Sequence, residues 1–290
     1  MNISLLGTGL LGSAVAERLL AQGHRLTVWN RQAHKSAGLA QHGAKIADTP
    51  AEALNASEII LLFLSDRAAI EQVLLTEATR PVLDGRLIVN MGTISPNDSL
   101  ALANALSAAG AEYAECPVLG SLPEARNGTL ILMFGGTPKQ FDACLPLLRD
   151  LGSEPKHIGV VGQAAALKLA MNQLIASQTA AFAMSLALVQ AHDVAVDDFM
   201  QILRGSALYA PTFDKKLDRM LSGDFSRPNF PLEHLIKDVR LFIASAEEKG
   251  INTRPLAELE TVLTHVAQSG QGTEDYSVLQ QGFKPLNNPS

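Results

Sequence analysis

The sequence predicts an α/β domain built on a doubly wound, mostly parallel sheet, followed by an all-α domain. Three observations carry that prediction. Short apolar runs alternate with Ala- and Leu-rich helical stretches up to about residue 160. No strand-like run follows Gly162. One apolar stretch, 163–192, is long enough to span roughly 45 Å as a single helix at about 1.5 Å per residue.

Alternating β and α segments imply crossover connections, which cover both faces of a parallel sheet with helices. Strand candidates are Ile3–Leu6, Leu26–Trp29, Ile59–Leu64, Leu87–Asn90, a segment around Tyr113, and Leu130–Phe134. Helical stretches fall at 10–22, 50–56, 67–75 and 96–109. Two helix starts are marked by capping chemistry. Asp48-Thr49-Pro50 and Ser95-Pro96 each set a capping side chain before a proline, whose missing N–H and fixed φ suit the first helical position. The domains are expected at 1–161 and 162–290, with further helices up to about residue 270 and a short polar tail at 281–290.

Composition narrows the function. The chain has 290 residues, enough for two domains, and its net charge of −6 argues against a nucleic-acid partner, which would call for a basic surface. Two cysteines, Cys116 and Cys144, imply no disulfide framework and a reducing, cytoplasmic location. The opening MNISLLGTGLLG has no basic segment before its apolar part, so a signal peptide is not expected. The run at 163–192 reaches membrane-spanning length. Lys168, Asn172, Gln173, Gln178 and Gln190 interrupt it, so a buried helix is expected and no membrane partner. The seven histidines show no metal-ligand spacing, and no metal site is expected.

Gly7-Thr8-Gly9-Leu10-Leu11-Gly12 follows the first strand directly and opens a helix. Such a GxGxxG run alone is weak. Here strand, turn, helix and second strand all fall within the first 29 residues, which makes it a dinucleotide-binding, Rossmann-type fingerprint. Gly7 permits the tight turn, Gly9 lets a pyrophosphate approach the backbone, and Gly12 allows close helix–strand packing. Leu10 and Leu11 begin the helix whose unpaired N–H groups would face the phosphates. An NAD site usually carries Asp or Glu at the end of the second strand to hold the ribose 2′-OH. Asn30 and Arg31 stand there instead, with Lys35 a turn further on. A guanidinium suits a 2′-phosphate, so NADP(H) is the expected cofactor. Leu64 and Ser65, at the end of the Ile59–Leu64 candidate, are placed with the cofactor-binding set.

Lys168 is the one Lys or Arg in 163–192, a run that contains no Asp or Glu. Burying an unpaired ammonium costs several kcal/mol or forces a large pKa shift. On the stretch alone, two explanations stay open: the lysine snorkels to water near the helix end, or it is held inside for chemistry.

With GTGLLGSAVAERLLAQGHRLTVWNR in place, the chain resembles the β-hydroxyacid dehydrogenase family, which includes 3-hydroxyisobutyrate dehydrogenases. The resemblance extends through NMGTIS at 90–95, CPVLGSLPEARNGTL at 116–130, GQAAALKLAMNQL at 162–174 and FPLEHLIKDVRL at 230–241. The Asn-Arg ending and the Phe-Pro-Leu run look most like its glyoxylate and succinic semialdehyde reductase branch. The resemblance implies a Rossmann domain, a long interdomain helix, a helical C-terminal domain of the 6-phosphogluconate dehydrogenase type, and a homodimer or homotetramer. The lysine of the family's K-x-x-x-N motif, its catalytic residue, falls on Lys168, with Asn172 as the motif's asparagine. Their i, i+4 spacing sets both on one helical face. Thr93 matches a position touching cofactor and substrate. Lys237 and Asp238 match a pair in which the lysine lies near the cofactor and the aspartate closes the site. Phe230 matches a position that packs on substrate. As sequence features alone, Lys237-Asp238 reads as a surface pair, His234 as an exposed histidine, and Cys116 as a buried small residue.

The implied reaction is reduction of a small aldehyde or keto compound by NADPH, with Lys168 donating the proton. One departure bears on the substrate. The family's substrate loop reads P-V-S-G-G or P-V-S-G-S, and its serine binds a carboxylate. Here the loop is Pro117-Val118-Leu119-Gly120-Ser121, with leucine at the serine position. Rival readings are an imine reductase of the same two-domain layout, which suits Leu119 but generally lacks the lysine, and a non-catalytic NADP(H)-binding regulatory protein.

Overall fold

Period-two alternation in the first strands sends successive side chains to opposite faces of one sheet. The computed structural model describes residues 1–283, so most of the polar tail expected at 281–290 lies outside the described residues. The chain divides into two compact units, Met1–Leu169 and a second that begins at Ala170.

The first unit opens with β1 (Asn2–Leu6), α1 (Leu10–Ala21), β2 (Arg25–Trp29), α2 (His34–Ala40), β3 (Lys45–Ile46) and α3 (Pro50–Asn55). It continues through β4 (Ile59–Leu62), α4 (Arg67–Leu74), β5 (Leu87–Asn90), α5 (Pro96–Ser107) and β6 (Glu112–Glu115). After β6 come β7 (Val118–Leu119), α6 (Leu122–Asn127), β8 (Ile131–Gly135), α7 (Pro138–Leu151) and β9 (Lys156–Gly159). The sheet order is β3-β2-β1-β4-β5-β6-β8-β7, with β9 paired to β8. From β3 to β6 all neighbours are parallel, β8 is antiparallel to β6 and β7, and β9 is parallel to β8. The order of travel reverses between β1 and β4, and at such a switch point the loops beyond the strand ends part to form a crevice.

One face of this sheet buries Ile3, Leu5, Val28, Leu61 and Val89 against α1 and α7 through Val15, Leu19 and Leu147. The other buries Leu6, Ile60, Leu62 and Ile88 against α3, α4 and α5 through Leu54, Ile70, Leu74 and Leu102. The capping signals act as expected. The Thr49 side-chain oxygen accepts the Glu52 N–H at 3.1 Å, and Ser95 Oγ accepts the Asp98 N–H at 3.0 Å.

Some elements correct the expectation. The strand expected to reach Leu64 ends at Leu62, which leaves Phe63, Leu64 and Ser65 in the loop beyond it. β3, β7 and β9 were not anticipated, because two of them are two residues long and Lys-His-Ile-Gly is half polar. Neither were α2, α6 and α7. A signal for α7 exists: Thr137 accepts the Gln140 N–H while Gln140 Oε1 accepts the Thr137 N–H, a capping box readable as T-P-K-Q.

The long helix α8 runs from Gln163 to Ala191. Among the described residues it is the helix long and apolar enough to cross a bilayer by length and composition. Its residues Ala180, Phe182, Ala183 and Leu186 belong to the second unit's core. The remaining helices are α9 (Val196–Arg204), α10 (Pro211–Ser222), α11 (Leu232–Glu247) and α12 (Arg254–Val266), followed by a 3₁₀ segment at Tyr276–Phe283. Phe182 stacks on Phe213 with ring centroids 4.7 Å apart, and Met200, Leu235, Val239, Leu263 and Leu279 fill the space around them.

A charge pair is buried in this unit. Lys216 Nζ donates to both Asp275 oxygens, at 2.8 and 2.9 Å, and lies 4.3 Å from the Tyr276 ring centre. The same carboxylate accepts from Ser277 Oγ and from the Asn229 N–H. Burial works to raise the Asp275 pKa, but the Lys216 charge and the hydrogen bonds from Lys216 and Ser277 outweigh it and hold it below the ordinary value. Removing one partner strands the other charge, so Lys216→Ala should cost about 3–5 kcal/mol in urea unfolding, whereas Lys216→Met with Asp275→Leu should be nearly neutral. Because the native pKa is lowered, this stabilisation is complete above the unfolded-chain value of about 4 and is lost as pH falls through the native one. Stability curves of the wild type and the double variant should therefore separate on acidification, the wild type losing stability that the double variant keeps.

Candidate functional site

The first unit's site residues gather on the loops at the carboxyl ends of β1, β2, β4 and β5. Gly7 leaves β1 with φ +103°, and a Cβ there would lie 2.2 Å from the Phe63 carbonyl oxygen. A Cβ at Gly12 would lie 2.0 Å from the Gly7 carbonyl oxygen. Only glycine permits either approach. Gly9 differs: a Cβ there would meet nothing within 4 Å, so the backbone faces open space. The first turn of α1 beyond it has no side-chain cap and no acidic residue. Open backbone before an uncapped helix N-terminus is a cradle of the right sign for a pyrophosphate. The residues present fit a dinucleotide.

Neighbouring side chains support this loop. Thr8 is buried, and its hydroxyl pairs with Ser36 Oγ at 2.9 Å, so Thr8 can offer a ligand its backbone. Ser13 Oγ donates to the Thr8 carbonyl. At the end of β2, Asn30 Oδ1 accepts the Gln32 N–H at 2.9 Å and shapes the turn that holds Arg31. Arg31 and Lys35 are both exposed. Past β4, Ser65 Oγ donates to Asp66, whose carboxylate caps α4 through the Ala69 N–H. Past β5, Asn90 Oδ1 accepts the Gly92 N–H at 3.1 Å, and a Cβ at Gly92 would stand 2.6 Å from the Leu64 carbonyl oxygen. The loops holding Leu64 and Thr93 are thus in contact because residue 92 lacks a side chain. Gly92 is a site residue beyond those expected, and the G in NMGTIS is its signal in the sequence.

Leu119 ends β7 opposite Ile131 and is half-buried. Gly120 follows with φ +130°, and the Ser121 N–H donates to Glu124 Oε2 at 2.8 Å as α6 begins. Lys168 lies on α8 and is 8% exposed. Burial, not snorkelling, is the outcome for this lysine.

In the second unit the expected residues also assemble. Asn172, on α8, is 2% exposed, and its Nδ2 donates to Asp238 Oδ2 at 2.5 Å. Lys237 Nζ is 2.8 Å from Asp238 Oδ1. The pair read from sequence as a surface feature is therefore half interior, since Asp238 is 2% exposed. Phe230 packs its ring against Tyr276, with centroids 5.9 Å apart, and lies 6.2 Å from the His234 ring, which is itself exposed.

Cys116 and Cys144 are free and buried, and burial pushes both thiols up, so neither provides a thiolate nucleophile. Among the described residues no cluster of three His, Cys, Asp or Glu side chains is arranged to hold a metal.

Comparison with known proteins matches the chain in two parts. Residues 2–162 match the family described as the NAD binding domain of 6-phosphogluconate dehydrogenase. Residues 162–281 match the one described as NAD-binding of NADP-dependent 3-hydroxyisobutyrate dehydrogenase. Glyoxylate/succinic semialdehyde reductase 1 of Arabidopsis thaliana is 30% identical over 98% of this chain and 99% of its own length. The human cytokine-like nuclear factor N-PAC is 29% identical over 97% of this chain, which spans 51% of that protein. The crystal structure of a 3-hydroxyisobutyrate dehydrogenase from Salmonella typhimurium superimposes with a TM-score of 0.87 at 21% identity, covering 97% of this chain and 99% of that one, a likeness of fold.

Proposed function

The chain belongs to the 3-hydroxyisobutyrate dehydrogenase-like family of NAD(P)-binding oxidoreductases acting on CH–OH groups, and from that premise we propose that it reduces a small aldehyde or keto compound to the hydroxy compound with NADPH. The observation that carries this reading is Lys168. It is a nearly buried ammonium on a helix with no other charged side chain, four residues from a buried asparagine.

Bound NADPH would supply the hydride to the carbonyl carbon. Gly7, Thr8, Gly9, Leu10, Leu11 and Gly12 would hold its pyrophosphate, Asn30, Arg31 and Lys35 its 2′-phosphate, and Leu64, Ser65, Thr93 and Lys237 its remaining length. As the carbonyl oxygen gains charge, the Lys168 ammonium stabilises it and donates the proton that completes the hydroxyl. In the reverse direction the neutral amine takes that proton back. Asn172 is turned by Asp238, which holds its amide nitrogen. The amide's other pole is an acceptor, the right sign for an ammonium or a substrate hydroxyl. Asp238 thereby acts on Asn172 and Lys237 together, and Phe230 offers an apolar wall for the substrate.

Leu119, Gly120 and Ser121 would line the substrate end. Leucine cannot donate to a carboxylate, so substrates without one are favoured there. Imine reduction suits that corner equally well but leaves Lys168 without a role. A purely regulatory NADP(H)-binding protein leaves the Asn172–Asp238 arrangement unused as well. Exposed Leu174, Met184 and Leu188 on α8 support a homodimer or homotetramer. The two free cysteines support a cytoplasmic location.

The central test is Lys168→Ala. Turnover should fall roughly 100- to 10,000-fold while NADPH fluorescence titration gives an unchanged affinity; a variant keeping a tenth of wild-type rate overturns the reading. For the cofactor, Arg31→Ala should weaken NADPH about tenfold or more, since a hydrogen bond to a charged group contributes roughly 1.5–3 kcal/mol. NADH binding should not move, and equal wild-type use of the two would contradict the assignment. For the substrate, butanal should be reduced with higher kcat/KM than the four-carbon acid succinic semialdehyde. Leu119→Ser should narrow that gap by roughly 10- to 100-fold. Efficient reduction of the acid by the wild type, with no gain from serine, would show Leu119 to be silent.

A further inference from the structure

One buried titratable group has no part in the chemistry proposed above. Glu115 ends β6 and is 1% exposed. Its Oε1 accepts the N–H of Gly162 at 2.8 Å and that of Ala165 at 2.9 Å. Its Oε2 takes the Ser99 hydroxyl, which is 3.0 Å from the Tyr113 hydroxyl. Gly162 immediately precedes α8 and, having no side chain, cannot cap its own helix. A carboxylate from another strand does so instead, satisfying orphan N–H groups and opposing the positive end of the helix dipole.

The surroundings are built to admit it. A Cβ at Gly135 would lie 2.6 Å from Glu115 Oε1 and 3.1 Å from Ala164 Cβ, so only glycine lets β8 face this contact. Gly162 has φ +96°, and a Cβ there would lie 3.6 Å from Leu100 and 3.7 Å from the Pro96 carbonyl oxygen, in the first turns of α5. The first turn of α8 is thus held by β6, β8 and α5 through one side chain and two glycines. Burial raises the Glu115 pKa, while Ser99 and the backbone N–H groups of α8 draw it back toward the ionised form. Lys168 follows on the same helix, about 7.5 Å along the axis from Gln163.

We propose that Glu115 is the positioning residue for Lys168, fixing the height and rotation at which α8 presents the lysine to the carbonyl oxygen. The inference rests on Lys168 being the proton donor. Its consequence is kinetic, because a misplacement of about 1 Å in a reacting group can cost on the order of 100-fold.

The test is a double-mutant cycle, read as NADPH oxidation with butanal and normalised to NADPH-binding sites counted by fluorescence. Glu115→Ala should lower kcat roughly 10- to 100-fold with the NADPH affinity within about twofold of wild type. In a Lys168→Ala background the same change should cost little more, because both act through one group. Glu115→Gln should recover most of the rate, since its amide oxygen can accept from α8 while its NH₂ meets Ser99. If Glu115→Ala does not fold, Glu115→Asp serves in its place: one methylene short, it should lower kcat while NADPH still binds. Full kcat per binding site in the alanine or aspartate variant overturns the proposal. So does an equal fractional loss with and without Lys168, which marks a general structural role. Should Lys168→Ala itself stay active, the assignment of the proton donor fails, whatever Glu115 does. An inactive Lys168→Ala beside fully active Glu115 variants refutes positioning alone.

Discussion

The N-terminus of α8 presents a problem that the rest of the first unit is arranged to solve. A helix start leaves backbone N–H groups without partners, and each one buried unsatisfied costs about 1–3 kcal/mol. Gly162 brings no side chain to the task. The carboxylate of Glu115 takes the Gly162 and Ala165 N–H groups on one oxygen and the Ser99 hydroxyl on the other. That solution requires β6 to end beside the helix start, β8 to carry glycine at 135, and α5 to bring Ser99 alongside. Sheet, crossover helix and the helix bearing Lys168 meet on one buried side chain.

The cofactor edge depends on a different constraint, the absence of side chains. Gly7 lies against the Phe63 carbonyl, Gly12 against the Gly7 carbonyl, and Gly92 against the Leu64 carbonyl. These close approaches draw together the loops after β1, β4 and β5. Gly9 alone among the fingerprint glycines has no neighbour to avoid, and that open backbone is where a ligand can come near. Packing glycines and a binding glycine share one motif and are separated only by what surrounds them.

Sequence and structure diverge most where a residue's partner is far away along the chain. Lys237-Asp238 reads as a plain surface pair because adjacent opposite charges on a helix usually face water. Asp238 is buried because Asn172, 66 residues earlier, donates to it. Lys216 and Asp275, separated by 59 residues, gave no sign of pairing. Glu115 is unreadable for the same reason: a glutamate before Cys-Pro carries no local mark of being a helix cap. Short edge strands such as Lys45–Ile46 were unreadable on other grounds, since two residues cannot establish a period.

What the sequence determined by itself were the features written in local order. These are the strand–glycine–helix opening, the proline-marked helix starts, the length of α8, and the i, i+4 spacing of Lys168 and Asn172. Backbone sterics and helical periodicity act over a few residues, so a few residues suffice to reveal them. Tertiary structure alone decided which charges are buried and who satisfies them: Glu115 on the N–H groups of α8, Asp238 between Asn172 and Lys237, Asp275 around Lys216. A buried charge is tolerated only when a partner meets it in space, and chain order does not record which residue that partner is.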